Sequence, residues 1–104
     1  MDYNAICEYL RNNHNSRKTA ALSKQLEAVF SCKGSELRKC INRLRSDGIP
    51  ICSSVDGYFY SDSPQDISRT INQLHGRIVK IEQALHGMDM CISSERRILN
   101  AEKN

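Results

Sequence analysis

The feature that most constrains this chain lies between residues 33 and 60, where a helical pattern is followed directly by a hairpin pattern. Apolar residues recur in its first half at intervals of four and three, namely Leu37, Ile41 and Leu44. That spacing predicts an amphipathic helix over residues 34–47, here called the basic helix, and Gly48 stands where helices commonly end. Two short β-favouring runs follow, and Asp56-Gly57 between them is a strong hairpin signal. The segment is therefore predicted to be a helix followed by an antiparallel hairpin.

Two further helices are predicted before the basic helix. The first covers residues 2–12 with Asp2 as its N-cap, and the second runs to about Phe30 with Thr19 at the N-cap position. Their predicted apolar stripes are Tyr3, Ile6 and Leu10 in the first helix and Leu22, Leu26 and Val29 in the second. Between these helices, residues 17–18 are predicted to form a very short strand.

The positive charge of the chain is concentrated on the basic helix. The formal net charge is only +3, yet residues 33–45 carry five basic side chains against Glu36 alone. A local excess of this kind is expected of a protein that binds a polyanion such as nucleic acid. An ordinary solvent-exposed helix face has a similar composition, so charge alone does not choose between the two interpretations.

A projection of the basic helix at about 100° per residue separates its buried side from its outer side. Opposite the buried residues lies the polar face, formed by Ser35, Lys39, Asn42 and Ser46. Arg43 lies on one flank of this face and Arg38 on the other. Arg45 lies nearer the core edge, and Cys40 is predicted to pack beside the core. Lys and Arg suit guanine edges or phosphates, Asn suits adenine and Ser suits either, so this face has a groove-reading composition.

The rest of the chain carries a longer helical pattern. Ser63 and Pro64 predict the N-cap and first residue of a helix. Beyond them, apolar residues alternate in steps of four and three and form the C-terminal stripe of Ile67, Ile71, Leu74, Ile78, Ile81, Leu85, Met88 and Ile92. A period of 3.5 residues is typical of a coiled coil.

With the C-terminal stripe assigned to a coiled coil, the chain is predicted to have three segments. They are a domain over residues 1–62, a homodimerisation helix over residues 63–100 and a frayed tail over residues 101–104. The alternative is a helix that packs on its own domain. The residues that flank the stripe are mixed in character and do not specify a partner clearly; they are Ser68, Thr70, His75, Arg77, Glu82 and Ala84.

Several other classes of protein are not expected. No apolar run approaches the roughly 20 residues that span a membrane, and the start MDYNAICEYL lacks the basic region of a signal peptide. The five cysteines are odd in number and have no CxxC pair or metal-finger spacing to histidine, which predicts reduced thiols and a cytoplasmic location. Because no catalytic motif is present, neither enzyme activity nor a metal or cofactor is expected.

The run LRKCINRLRSDGIPICSSVDGYFY resembles the winged helix-turn-helix DNA-binding domains at the N-terminus of biotin operon repressors, and more closely still small bacteriophage and prophage proteins of this type. The features that carry the resemblance are Leu37, Ile41 and Leu44, the Leu44-Arg45-x-x-Gly48 ending, Ile49-Pro50-Ile51, Gly57 and the strand Tyr58 to Tyr60. It covers about residues 3–62. It implies a mainly α (α+β) fold, in which a winged helix-turn-helix precedes a long C-terminal coiled-coil helix.

The chain departs from that family pattern at two places. Lys33 stands where family members have a Ser or Thr cap, and the hairpin residues 53–57 include no Lys or Arg. No ligase or ligand-sensing domain follows, so a biotin-linked activity is not implied.

The first functional hypothesis is a dimeric, sequence-specific double-stranded DNA-binding protein that regulates transcription in a phage or mobile element inside a bacterial host cell. The predicted base-reading residues are Lys39, Asn42 and Arg43, and the predicted phosphate contacts are Lys33, Arg38, Arg17 and Lys18. Ser35 and Ser54 complete the predicted DNA-binding set. The alternative is an accessory protein that uses the same scaffold to bind a host or phage protein.

Overall fold

The computed structural model describes the backbone of residues 2–103 and the side chains of residues 2–93. Its elements are α1 (Tyr3–Asn13), a 3-10 turn (Arg17–Thr19), α2 (Ser23–Phe30), α3 (Gly34–Ser46), β1 (Ile51–Ser54), β2 (Gly57–Tyr60) and α4 (Pro64–Lys103). The chain is mainly helical, with a small two-stranded antiparallel sheet and a long C-terminal helix. It divides into two compact units, residues 1–70 and residues 71–104.

The core of the first unit is built from the apolar sides of α1, α2, α3 and the hairpin. Its largest members are no more than 2% exposed; they are Ile6, Leu10, Leu26, Leu37, Ile41, Leu44, Ile51 and Phe59. Burial of each such side chain contributes about 1.5–3 kcal/mol, so this cluster is the main source of stability. Cys40 is fully buried among them, which confirms its predicted packing role.

The ends of α1 and α3 follow the sequence-based predictions. The Asp2 carboxylate accepts hydrogen bonds from Asn4 N–H (3.0 Å) and Ala5 N–H (3.3 Å), so Asp2 is the N-cap of α1. At the end of α3, Gly48 adopts φ +83°, and the next amide, Ile49 N–H, donates to Leu44 C=O (3.0 Å). This six-to-one hydrogen bond is typical of a Schellman motif, which glycine favours because it has no Cβ.

The hairpin is joined to the segment before α2 by one extra bridge. Ile51 pairs with Tyr60, and a two-residue turn lies between the paired Ser54 and Gly57. Ala21 and Tyr58 exchange two backbone hydrogen bonds, each 2.8 Å long. The predicted strand at residues 17–18 is wrong: those residues lie in the 3-10 turn, and the strand-like contact occurs at Ala21 instead.

Two predictions about α2 are also wrong. Its N-cap is Leu22, the residue before the first helical residue Ser23, and the Leu22 N–H donates to the Gln25 side chain (2.8 Å). The Thr19 hydroxyl is instead hydrogen-bonded to Ser16 within the 3-10 turn. Of its predicted apolar stripe only Leu26 is buried, while Leu22 and Val29 are each 52% exposed. The helix is eight residues long, and Ala21, just before it, takes the buried place next to the hairpin.

The second unit consists of the part of α4 from Ile71 onward. Six members of the C-terminal stripe are between 49% and 68% exposed; they are Ile71, Ile78, Ile81, Leu85, Met88 and Ile92. Ile67 and Leu74 are half-buried. The helix is assigned through Lys103, while Asn104 and the side chains from residue 94 onward lie outside the described residues, so the fraying of residues 101–104 stays a prediction. No helix in the described range is both long and apolar enough to cross a membrane.

Candidate nucleic-acid interface

The side chains predicted to contact DNA from the basic helix lie on the solvent-facing side of α3 or at its N-cap. They are Lys33, Ser35, Arg38, Lys39, Asn42 and Arg43, and all six residues are exposed. Leu37, Ile41 and Leu44 are buried on the opposite side, as the projection predicts. The helix therefore presents the polar face to solvent. Within it, Ser46 Oγ donates to Asn42 C=O (2.8 Å), so this hydroxyl is engaged with its own helix.

Arg43 is restrained on the flank that faces α1. Its Nε lies 3.5 Å from the Asp47 carboxylate, and its guanidinium carbon lies 5.4 Å from the centre of the Tyr3 ring. Both contacts are exposed, so each contributes at most about 1 kcal/mol. Their effect is orientation: an ion pair and a cation–π contact from two different elements restrict where this guanidinium can point.

Arg45 connects the other flank of α3 to the hairpin. Its Nε donates to Ile51 C=O (2.7 Å), its Nη2 donates to Ser53 Oγ (3.2 Å), and its guanidinium lies 5.9 Å from the Tyr58 ring centre. Spacing along the sequence places Arg45 at the core edge but does not reveal these partners. Arg45 is therefore a structural link between helix and hairpin and lies off the polar face.

Arg38 lies near an acidic side chain from α2. A Cβ built on Gly34 would lie 3.3 Å from Glu27 Oε1 and 3.4 Å from Arg38 Nη1, so both groups border the first turn of α3. A carboxylate beside a helix N-terminus interacts favourably with the helix dipole.

The remaining predicted contacts gather at the hairpin turn. Arg17 Nε lies 3.8 Å from the Asp56 carboxylate, which brings the 3-10 turn against the tip of the hairpin. Ser54 Oγ accepts the Asp56 N–H (3.1 Å), and Lys18 is exposed beside Arg17. The structure thus groups Arg17, Lys18 and Ser54, but the Arg17 charge is partly offset by Asp56.

Two residues at the start of α4 attach this helix to the hairpin, and sequence reasoning did not assign them this role. Thr70 is only 6% exposed; its Oγ1 accepts the Ser53 N–H (3.2 Å) and donates to Asp66 C=O (3.1 Å). The Asp66 carboxylate accepts a 2.7 Å hydrogen bond from Ser61 Oγ. A Thr within a helical pattern is expected at the surface, so only the tertiary structure reveals the contacts that Thr70 and Asp66 make with Ser53 and Ser61.

The cysteines form no reactive or metal-binding cluster in the described part of the chain. Burial raises the pKa of Cys40 to about 11, and burial also raises the pKa of Cys52. Since the thiolate is the reactive form, these thiols are poor nucleophiles at neutral pH. Among residues with described side chains, no group of three His, Cys, Asp or Glu residues could hold a metal ion.

No protein-family model, curated protein or solved structure matches the chain.

Proposed function

We propose that the chain is a dimeric, sequence-specific double-stranded DNA-binding protein in which residues 1–62 form a winged helix-turn-helix. In this proposal α2 and α3 are the helix-turn-helix, α3 enters the major groove, and the β1–β2 hairpin is the wing. The C-terminal stripe joins two copies, so the operator is a palindrome or a repeat. The protein is a transcriptional regulator of the phage or mobile-element type, in the cytoplasm of a bacterial host.

The observation that carries the proposal is the composition and exposure of the outer side of α3. This helix presents Lys39 and Asn42 to solvent on the polar face while its apolar side is buried in the core. Such side chains make bidentate contacts with base edges in the major groove, which is wide enough for one helix. Arg43 is pre-oriented by Asp47 and Tyr3, which lowers the entropy lost when it binds.

The base-reading assignment predicts a loss of specific affinity when its residues are truncated. We expect Lys39→Ala or Arg43→Ala to weaken binding to the best site by about 1–3 kcal/mol, and to weaken binding to nonspecific DNA less, through the lost charge alone. The site is first obtained by selection from random-sequence duplexes, and affinity is then measured at one salt concentration. Lys80→Ala, which removes the same charge from an exposed position on α4, is the matched control. An unchanged affinity for the selected site would remove that residue from the reading set.

The ion pair at the hairpin turn predicts a gain of affinity. Asp56→Asn removes a negative charge next to the proposed DNA surface and releases Arg17, so duplex affinity is expected to rise about 3- to 10-fold at low salt. The gain is expected to shrink as salt screens the phosphates. Asp62→Asn removes the same charge outside the turn and serves as the control. A fall in affinity would show that Asp56 orients Arg17 rather than competing for it.

A second candidate function is supported by exposed apolar residues on the first unit. Leu22 and Val29 are each 52% exposed, and Val55 at the hairpin turn is 89% exposed. Together with a hairpin that lacks basic residues, they favour an accessory protein that binds a host or phage protein. A salt titration discriminates between the two functions, because phosphate contacts require affinity to fall steeply with salt. Absence of binding to any duplex at low salt would favour the protein partner.

A further inference from the structure

The exposed C-terminal stripe leaves the relative direction of two associated helices undetermined. α4 continues without interruption from Pro64 to Lys103. Six of the eight residues in the C-terminal stripe are between 49% and 68% exposed. In heptad notation the a positions are Ile71, Ile78, Leu85 and Ile92, and the d positions are Ile67, Leu74, Ile81 and Met88. Both a parallel and an antiparallel pair would bury these residues, so the direction has to come from the charged residues beside them.

Two oppositely charged residues flank the middle of the stripe. Arg77 precedes an a position and is therefore at g, while Glu82 follows a d position and is therefore at e. Both side chains are exposed, and neither forms an ion pair within the described part of its own chain. In a parallel, in-register coiled coil, each g residue faces the e residue five positions later on the other helix. Arg77 and Glu82 are separated by five positions.

An antiparallel pair would lose this match. In an antiparallel pair, g residues face g residues and e residues face e residues. The register that aligns the whole stripe pairs residues whose numbers sum to 159, so Ile71 lies opposite Met88. Arg77 would then face Ala84, and Glu82 would face His75. The parallel arrangement forms two symmetric Arg–Glu pairs, whereas the antiparallel arrangement forms no Arg–Glu pair at these positions.

We infer that two copies of α4 associate in parallel and in register, with Arg77 of each copy paired to Glu82 of the other. The inference rests on the dimer in the proposed function and adds its direction. In a parallel dimer the chain joins both copies of the first unit to the same, N-terminal end of the coil, whereas in an antiparallel dimer it joins them to opposite ends.

Cysteine cross-linking of the full chain tests the direction. In a Cys91→Ser background, which removes the exposed native thiol, Met88→Cys is expected to form a disulfide-linked dimer under mild oxidation. The parallel register brings the two residues at position 88 together, within the short Cα separation that a disulfide requires. Cys91→Ser alone, without the new thiol, is the control and should remain uncross-linked.

The opposite result is equally defined. If Met88→Cys does not cross-link with itself, but a mixture with Ile71→Cys cross-links 71 to 88, then the helices are antiparallel and the inference is overturned. Sedimentation of the unmodified chain is measured separately. A monomer there would contradict the proposed dimer, whereas a dimer with the 71–88 cross-link would contradict only its direction.

A charge exchange gives a second, independent readout. Arg77→Glu and Glu82→Arg should each weaken the homodimer about 3- to 30-fold, because each places like charges opposite one another in the parallel pair. An equal mixture of the two variants should form heterodimers in excess of the statistical half, since both facing pairs again have opposite charges. A purely statistical mixture would overturn the proposed Arg77–Glu82 pairing.

Discussion

Replacement of Gly57 by Ala is expected to destabilise the first unit by about 2–4 kcal/mol. Gly57 adopts φ +121°, a conformation that side chains rarely adopt, and a Cβ at this position would lie 2.2 Å from Ala21 C=O oxygen and 2.8 Å from Leu22 N. These are backbone atoms, so relief requires the hairpin to move away and lose its two 2.8 Å hydrogen bonds between Ala21 and Tyr58. Urea unfolding should show a lower midpoint with an unchanged slope.

Substitutions at two other glycines separate the two causes of this destabilisation, the positive φ and the close approach of the Ala21 backbone. Gly48→Ala meets a left-handed φ of +83° but no neighbour within 4 Å, so it should cost only about 1 kcal/mol. Gly87 lies in α4 with nothing within 4 Å, and Gly87→Ala should increase helix stability by up to about 1 kcal/mol. Equal costs for Gly57→Ala and Gly48→Ala would show that the approach of Ala21 contributes nothing.

Ile78→Asp is expected to abolish dimerisation at micromolar concentrations. Ile78 is 49% exposed in the single chain and occupies an a position, so association in the proposed coiled coil would bury two facing carboxylates. Desolvation and mutual repulsion should raise the dissociation constant at least about 100-fold, or about 2.8 kcal/mol. Sedimentation measures the dimer, and affinity for a two-half-site operator should fall while binding to a single half-site remains.

Val79→Asp is the matched control for this change. Val79 is 44% exposed and follows Ile78 on the same helix, but it occupies a b position, on the outer side of the proposed coiled coil. The same charge introduced there should leave dimer and operator binding unchanged. Equal effects of the two substitutions would mean that the association surface is broader than the stripe.

Local patterns in the sequence sufficed to predict most helices, but not which elements pack against each helix. The spacing of Leu37, Ile41 and Leu44 predicted the buried side of α3 because one short-range period determines which side chains share a face. The same reasoning failed at Leu22 and Val29, whose apolar character predicted burial. Of the apolar stripe predicted for α2 only Leu26 is buried, because burial depends on which side of α2 packs against the rest of the first unit, and helical spacing does not encode that long-range contact.

The candidate site shows the same division. Exposure of Lys39, Asn42 and Arg43 followed from projecting one helix. The contacts of Arg43 with Tyr3, and of Arg17 with Asp56, join elements distant along the chain, and no residue type at either position indicates its partner. Sequence therefore predicted which side chains are presented to solvent, whereas the structure shows which of them are restrained.

The length of the polar face on α3 limits how much sequence one copy can recognise in the proposed complex. The polar face runs from Ser35 to Ser46, about 16 Å at 1.5 Å per residue. In the groove this length matches about five base pairs at 3.4 Å each, a word that occurs by chance about once per thousand base pairs. Two such words at a defined spacing occur about once per million base pairs, which is comparable to a bacterial genome. One copy of the proposed regulator could therefore recognise a sequence of about five base pairs but not a unique site in a genome. The second copy, joined through α4, would supply the other half of that site.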